Sequence, residues 1–197
     1  KANRKAEIDN LSLNDDKFTT TALRFSSIYG VSPRMRFDTA VNAMVLDLYK
    51  KGKITVSGKD NKRPFVFIKD AVRAYLAVIA APKQKISGEI FNIGSNEQNV
   101  TMIDLANQTI DSIGQSCEIV VEGTNDHRSY FASFDKIKNT LNFTTNYSIG
   151  DGAKEMYQGL KNKTISDTTK TKTVEWYRYL LNNPEISKDY MINNNLF

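Results

Sequence analysis

The chain of 197 residues has a single cysteine, Cys117, so no internal disulfide can form. One thiol fits a reducing compartment, and the expected location is the cytoplasm. It also has a single histidine, His127. One thiol and one imidazole leave no cluster of nitrogen and sulfur ligands, so no metal is expected. No run approaches the roughly 20 apolar residues that a bilayer span requires. Residues 1–20 are charged and polar, unlike a signal peptide. No internal repeat stands out. Charge of one sign is in modest excess, 27 Lys and Arg against 22 Asp and Glu, a net +5. The lysines are scattered and no aromatic-basic strip accompanies them. They read as solvated helix faces rather than a nucleic-acid surface. The same excess suits a phosphorylated substrate. At 40% hydrophobic and 25% charged residues, the chain has material for an ordinary core of one domain or a little more.

The stretch the chain is organised around is Thr21–Asp38, T-A-L-R-F-S-S-I-Y-G-V-S-P-R-M-R-F-D. It begins as a strand, over residues 20–25, and breaks into a loop at Gly30 and Pro33. Asp38 is positioned as N-cap of a helix over residues 39–51, with Gly52 as its stop. Strand, loop and helix in that order put the loop at the carboxyl end of a strand, the edge where open α/β sheets bind ligands. The loop carries Ser26, Ser27, Tyr29, Arg34 and Arg36, which suit an anion.

Elsewhere the patterns are mostly local. Residues 1–13 read as an amphipathic helix with Ala2, Ala6, Ile8, Leu11 and Leu13 on its apolar face. Residues 54–56 form a short strand ending at Gly58. Arg63 precedes a buried strand over Phe65-Val66-Phe67-Ile68. Asp70 is expected to cap a helix over residues 71–81, whose Val72, Tyr75, Leu76 and Ile79 form a core stripe. Residues 88–93 are a strand, and Asn92 within it is expected to be buried against a loop backbone. Thr101 and Asp104 make a capping arrangement for the next helix. A strand over 118–122, a loop at Asp126–Tyr130 and a short helix over 134–141 follow. His127 in that loop is either a general acid/base or, with nothing to pair it, a histidine of no chemical role. Residues 149–162 form a last core helix, residues 163–172 a polar linker, and residues 174–182 an aromatic tail helix expected to bury Trp176. Asn193-Asn194-Asn195 reads as a surface turn.

L-R-F-S-S-I-Y-G resembles the strand and loop of extended short-chain dehydrogenase/reductases, the NAD-dependent nucleotide-sugar epimerases and dehydratases. S-P-R-M-R-F-D, R-P-F-V-F-I-K-D (Arg63–Asp70) and F-N-I-G-S (Phe91–Ser95) agree with it in order. The resemblance implies an α/β fold, the carboxyl-terminal part of a Rossmann-type enzyme with its small α/β substrate-binding portion. Residues 1–30 would close the dinucleotide-binding domain, 31–162 would hold the substrate with returning Rossmann strands, and 163–197 would be linker and tail helix. The family's G-x-x-G-x-x-G turn does not occur in this sequence. NAD or NADP would then be held mainly outside this chain, and a homodimer or the missing amino-terminal half would be the protein partner.

The resemblance also implies site residues. Phe25 and Ser26 stand where relatives touch the nicotinamide end of the cofactor. Ser27 stands where relatives often have asparagine, and its shorter side chain has one hydroxyl. Arg36 lies in the substrate loop. Asn42 occupies a position used against a substrate phosphate, or is a plain exposed helix residue. Val56 belongs to a segment that sandwiches the nucleotide base, or is simply buried. Arg63 and Arg128 would clamp the diphosphate, since guanidinium donors fork onto phosphate oxygens; otherwise each pairs with an acid such as Asp60 or Asp126. No catalytic residue is assigned. The family's Tyr-x-x-x-Lys lysine usually precedes a glutamate by four residues. Counting back from Glu7 gives Asn3, and using Lys1 adds two residues, which turns a helix face by about 200°. Hence either an isomerase or lyase acting on a nucleoside-diphosphate sugar is expected, or a non-catalytic relative that binds such a sugar or a protein. Calorimetric titration of this chain with NAD is expected to show no saturable micromolar binding, because the backbone N–H groups of the glycine-rich turn are not in it.

Overall fold

The computed structural model describes residues 2–123, 128–192 and 195–196. The elements run α1 (Ala2–Leu11), β1 (Thr21–Phe25), β2 (Ser27–Tyr29), α2 (Ala40–Lys51), β3 (Lys53–Ser57), β4 (Lys62–Phe67), α3 (Ile68–Ile79), α4 (Lys83–Ile86) and β5 (Glu89–Ile93). They continue as β6 (Asn99–Thr101), α5 (Met102–Ile113), β7 (Glu118–Glu122), α6 (Asp135–Leu141), α7 (Ile149–Lys161), α8 (Thr173–Leu181), α9 (Pro184–Ser187), β8 (Met191–Ile192) and β9 (Asn195–Leu196). The fold is mixed α/β, as expected. β1 pairs with β5, β2 with β4 and β3 with β7, all parallel, while β6 joins β4 antiparallel. β8 pairs with β9 antiparallel, and Asn193 and Asn194 of the expected surface turn lie outside the described residues.

The segment from Thr21 to Tyr29 is nearly one strand. Phe25 is in register with Ile93 of β5, the Ser26 N–H still donates to the Ile93 carbonyl (3.0 Å), and from Ser27 onward the partner is Phe65 of β4. The chain therefore changes neighbours at Ser26. Gly30 ends β2 with φ +120°, and a Cβ there would lie 2.5 Å from the Phe67 ring, so only glycine fits. Gly152 of α7 approaches the same Phe67 ring, and that of Tyr29, at distances that leave no room for a methyl group.

The main core joins α2, β3, β4, α5 and α7 through Val41, Val45, Leu48, Ile54, Phe65, Phe67, Leu105, Ala153 and Met156. A smaller one gathers Val66, Ala74, Phe91, Ile93, Ile137 and Phe143. The helices start and stop where local chemistry directs. Gly52 is left-handed after α2 (φ +65°), the Thr101 hydroxyl accepts from the Asp104 N–H (3.1 Å), and Ser148 and Asp151 form a capping box for α7.

Several expectations change. α1 is a helix, but none of its residues is buried, and Ile8 stays exposed. It is tied down instead by a bidentate pair, with Arg24 of β1 donating to Glu7 at 2.6 and 2.7 Å. The stripe Val72, Tyr75, Leu76, Ile79 faces outward. α3 turns Asp70, Ala71, Ala74 and Val78 inward, because small side chains let it lie close to β2 and β4. Asn92 is half-buried, with its amide donating to the Ser133 carbonyl (3.1 Å). Residues 163–172 are no loose linker: Ile165 and Thr171 are buried, and Asp167 pairs with Lys50 of α2 (2.6 Å). The tail docks through Leu180, which is buried, while Trp176 is half-buried and stacked on Tyr179 (5.4 Å).

Asp70 is not the cap of α3, which begins at Ile68 with Phe67 as its N-cap. Its carboxylate is fully buried. It accepts from the backbone N–H groups of Asn146 (3.0 Å) and Tyr147 (3.1 Å) and from Arg73 (2.6 Å). These bonds fix the segment leading into α7. Asp70→Ala strands two backbone donors and should destabilise the fold by about 3 kcal/mol. Urea unfolding of the variant against the parent checks it; a loss within experimental error would show that water replaces the carboxylate.

Candidate functional site

A cavity of about 760 Å³ opens beside Ser26, where the strand changes neighbours. Ser26, Ser27 and the loop from Gly30 form one wall. Thr39, Ala40 and Asn42 at the start of α2 form another, and Ser57, Asn61, Arg63 and Arg128 complete it. It sits past the carboxyl ends of β1 and β2, the expected location for a ligand in such sheets.

Asn42 shapes the loop. The Gly30 N–H donates to its Oδ1 (3.2 Å), and its Nδ2 donates to the Arg36 carbonyl (3.0 Å), so one buried amide spans both ends of the turn. It is therefore not an exposed helix residue. Met35 and Phe37 are buried and anchor the loop, and the Phe37 N–H donates to the Thr171 carbonyl (2.8 Å).

The charge is one-sided. Among the described residues, Arg34, Arg36, Arg63 and Arg128 line the cavity with one carboxylate, Asp38. Asp38 does not cap α2, whose N-cap is Thr39. It accepts from Arg36 (3.1 and 3.3 Å) and from the Thr173 N–H (3.0 Å), the first residue of α8. Burial opposes ionisation of Asp38, but the Arg36 guanidinium and the Thr173 N–H outweigh it and hold the carboxyl below the usual range. Arg63 donates to the Arg128 carbonyl, and its guanidinium lies 5.3 Å from the centre of the Tyr130 ring. The two arginines are thus brought together by a backbone contact.

Of the residues expected at the site, Ser26, Ser27, Arg36, Asn42, Arg63 and Arg128 line this cavity. Phe25 and Val56 are not among its lining residues. Phe25 packs on Tyr75 (5.0 Å), and Val56 is fully buried in the main core, while its neighbour Ser57 reaches the cavity. Lys1, Asp126 and His127 lie outside the described residues. Sequence reasoning missed the role of Asp38, whose signal was the Arg-x-Asp spacing, and that of Tyr130. Tyr29 begins as a polar loop candidate but is buried in the structure. Its hydroxyl donates to the Ser148 carbonyl (3.0 Å), and burial, with Asp70 and Asp151 nearby, pushes its ionisation above the usual range. It stays neutral and structural.

The Ser26 hydroxyl is buried without a hydrogen-bond partner. Gly94 sits against it so closely that a Cβ would lie 2.6 Å from the Ser26 oxygen. A buried polar atom left unsatisfied beside a cavity is a place for a ligand atom.

Residues 4–94 match the family described as the NAD dependent epimerase/dehydratase family. UDP-D-apiose/UDP-D-xylose synthase 2 of Arabidopsis thaliana is 41% identical over 51 residues, 26% of this chain and 13% of that protein. The structure of UDP-glucuronic acid 4-epimerase from Bacillus cereus, in complex with UDP-glucuronic acid and NAD, superposes with a TM-score of 0.63 at 25% identity. That match covers 75% of this chain and 46% of the other. dTDP-glucose 4,6-dehydratase from Bacillus anthracis, in complex with NAD, gives a TM-score of 0.66 at 23% identity over 81% and 50%. The chain spans about half the length of these solved structures.

Asp38 joins the cavity loop to the tail, and its titration tests the joint. Its folded pKa is depressed, so its contribution is complete above about pH 4 and is lost as pH falls through the lower folded value. Asp38→Asn should cost about 1 kcal/mol or less at pH 7. The deficit should shrink as the pH drops below 4. Stability curves of both proteins across pH 2–7 check this; a deficit independent of pH would mean that the charge plays no part.

Proposed function

We propose that this chain, a relative of the NAD dependent epimerase/dehydratase family over residues 4–94 and in its fold, forms the nucleotide-sugar-binding part of an NAD-dependent epimerase or dehydratase. The observation that carries the reading is the gathering of Arg34, Arg36, Arg63 and Arg128, from a loop, a strand and a distant segment, around one cavity in which Asp38 is the one carboxylate among the described residues. A diphosphate offers oxygens that guanidinium forks bind two at a time. The sugar would then extend toward Ser26 and Ser27. Ser27 carries the shorter hydroxyl contact where relatives often place asparagine.

The buried, unpartnered Ser26 hydroxyl and the close approach of Gly94 fit a cofactor reaching the carboxyl end of β1 from outside this chain. NAD or NADP, when bound, would take a hydride from the sugar. This chain's part is to orient the sugar by its phosphates and to keep Ser26 ready to receive a hydrogen bond or donate one. The outward apolar face of α3 and the two-stranded pair of β1 and β5 fit coverage by a dinucleotide-binding half, because parallel strands are normally covered on both faces. No helix among the described residues is long and apolar enough to cross a membrane.

A second reading, a binding protein without turnover, draws on Asn3. The pair between Glu7 and Arg24 fixes the position of Glu7, and the residue four before it is not a lysine. Hydride transfer to NAD by the full-length protein separates the two.

Losing one arginine removes charge-assisted hydrogen bonds of about 1.5–3 kcal/mol. Arg63→Ala and Arg128→Ala in the full-length protein should therefore weaken UDP or dTDP binding about ten- to a hundred-fold. The thermal midpoint should hold, since neither side chain belongs to the core. Unchanged affinity in both variants, or collapse of the midpoint, would place the phosphate site elsewhere.

A further inference from the structure

A second cavity, of about 740 Å³, meets the first at Ser32 and Arg34, which line both. Its other walls come from residues 164–171 and from α8, with Trp176, Tyr177, Lys170 and Tyr190 among them. Among the described residues no carboxylate lines it, and two cations do, Arg34 and Lys170. The Lys170 ammonium lies 5.1 Å from the Trp176 ring centre and 5.9 Å from that of Tyr190. It also donates to the Tyr190 hydroxyl (3.4 Å) and meets no acid among the described residues, so its charge is not neutralised. Arg34 has no ion pair and no side-chain hydrogen bond among the described residues. Uncompensated cations beside aromatic rings and hydroxyls match a ligand with a phosphate at one end and a flat ring system at the other.

The volume is that of a complete small-molecule site, roughly 300–1,000 Å³, and so is that of the first cavity. Neither needs the other to hold one nucleotide. We infer that the second cavity binds a nucleoside phosphate as a ligand of its own, with Arg34 and Lys170 on the phosphate and the aromatic wall along the ring. The two assignments share Arg34, which lines both cavities, while Lys170 and the aromatic wall belong to the second alone.

Trp176 is the chain's one tryptophan and lines this cavity, so it reports occupancy directly. UMP added to the chain should change its emission saturably, and equilibrium dialysis with labelled UMP should give the same affinity. Lys170 is exposed, so Lys170→Gln should fold normally and weaken this binding about ten- to a hundred-fold. Arg63→Ala, a lesion of the first cavity, should leave the Trp176 response in place. Inorganic phosphate should bind at least about ten-fold more weakly than UMP, since it has no ring to contact the wall. An emission that UMP does not move overturns the inference. So does a response lost in Arg63→Ala but kept in Lys170→Gln, or equal affinity for inorganic phosphate. Failure of the first-cavity reading would appear separately, as UDP binding to the full-length protein that Arg63→Ala and Arg128→Ala do not weaken.

Discussion

One extended segment with two successive partners shapes this molecule. Residues 21–25 lie beside β5 and residues 27–29 beside β4, with Ser26 the last to bond to Ile93. A strand that leaves one neighbour for another opens a crevice at the parting, and the cavity lies there. Everything next to it serves that parting. Gly30 turns the chain where a Cβ would strike Phe67, and Gly152 admits α7 against the same ring. The Ser26 hydroxyl is left buried without a partner, close against Gly94.

The loops around the crevice are held by side chains that replace regular secondary structure. Asn42 spans the loop from Gly30 to Arg36, Asp70 holds the entry to α7, and Asp38 receives the first N–H of α8. Irregular backbone must find partners somewhere, and buried or half-buried polar side chains provide them. In consequence Arg34 and Arg36 are mounted on a loop whose two ends are tied by Asn42. Asp38 faces both ways, toward Arg36 in the cavity and toward the tail helix, so the tail is part of the site's support.

Much of the candidate site was readable, for a physical reason. Ser26, Ser27, Arg36 and Asn42 fall within a short stretch in which a strand, a loop and a helix follow in order, and local order fixes their neighbourhood. Arg63 and Arg128 are 65 residues apart, and the resemblance rather than any pattern brought them together; in the structure Arg63 donates to the Arg128 carbonyl. Phe25 and Val56, expected at the cofactor and the base, do not line this cavity, and alternation along a strand does not reveal which face meets a cavity and which meets the core. Arg34 and Lys170 were visible as charges, but only the packing of α8 against residues 164–171 sets them around one space.

The sequence by itself determined what depends on near neighbours. β7 spans Glu118–Glu122, Thr101 caps α5, Gly52 ends α2, and Ala153, Met156, Tyr157 and Leu160 form the buried face of α7. Each rests on contacts within a turn or two of chain. Tertiary structure decided which apolar face goes inward. α3 carries its larger residues on one face and its smaller ones, Ala71 and Ala74, on the other, and periodicity favours the larger. Close approach to β2 and β4 selects the smaller, because two elements packed backbone to backbone have no room for Leu76 or Tyr75 between them. Tertiary structure likewise turned Asp70 and Asp38 from helix caps into ties between distant segments. A carboxylate bonds to whichever N–H groups the fold brings to it, and sequence distance does not enter.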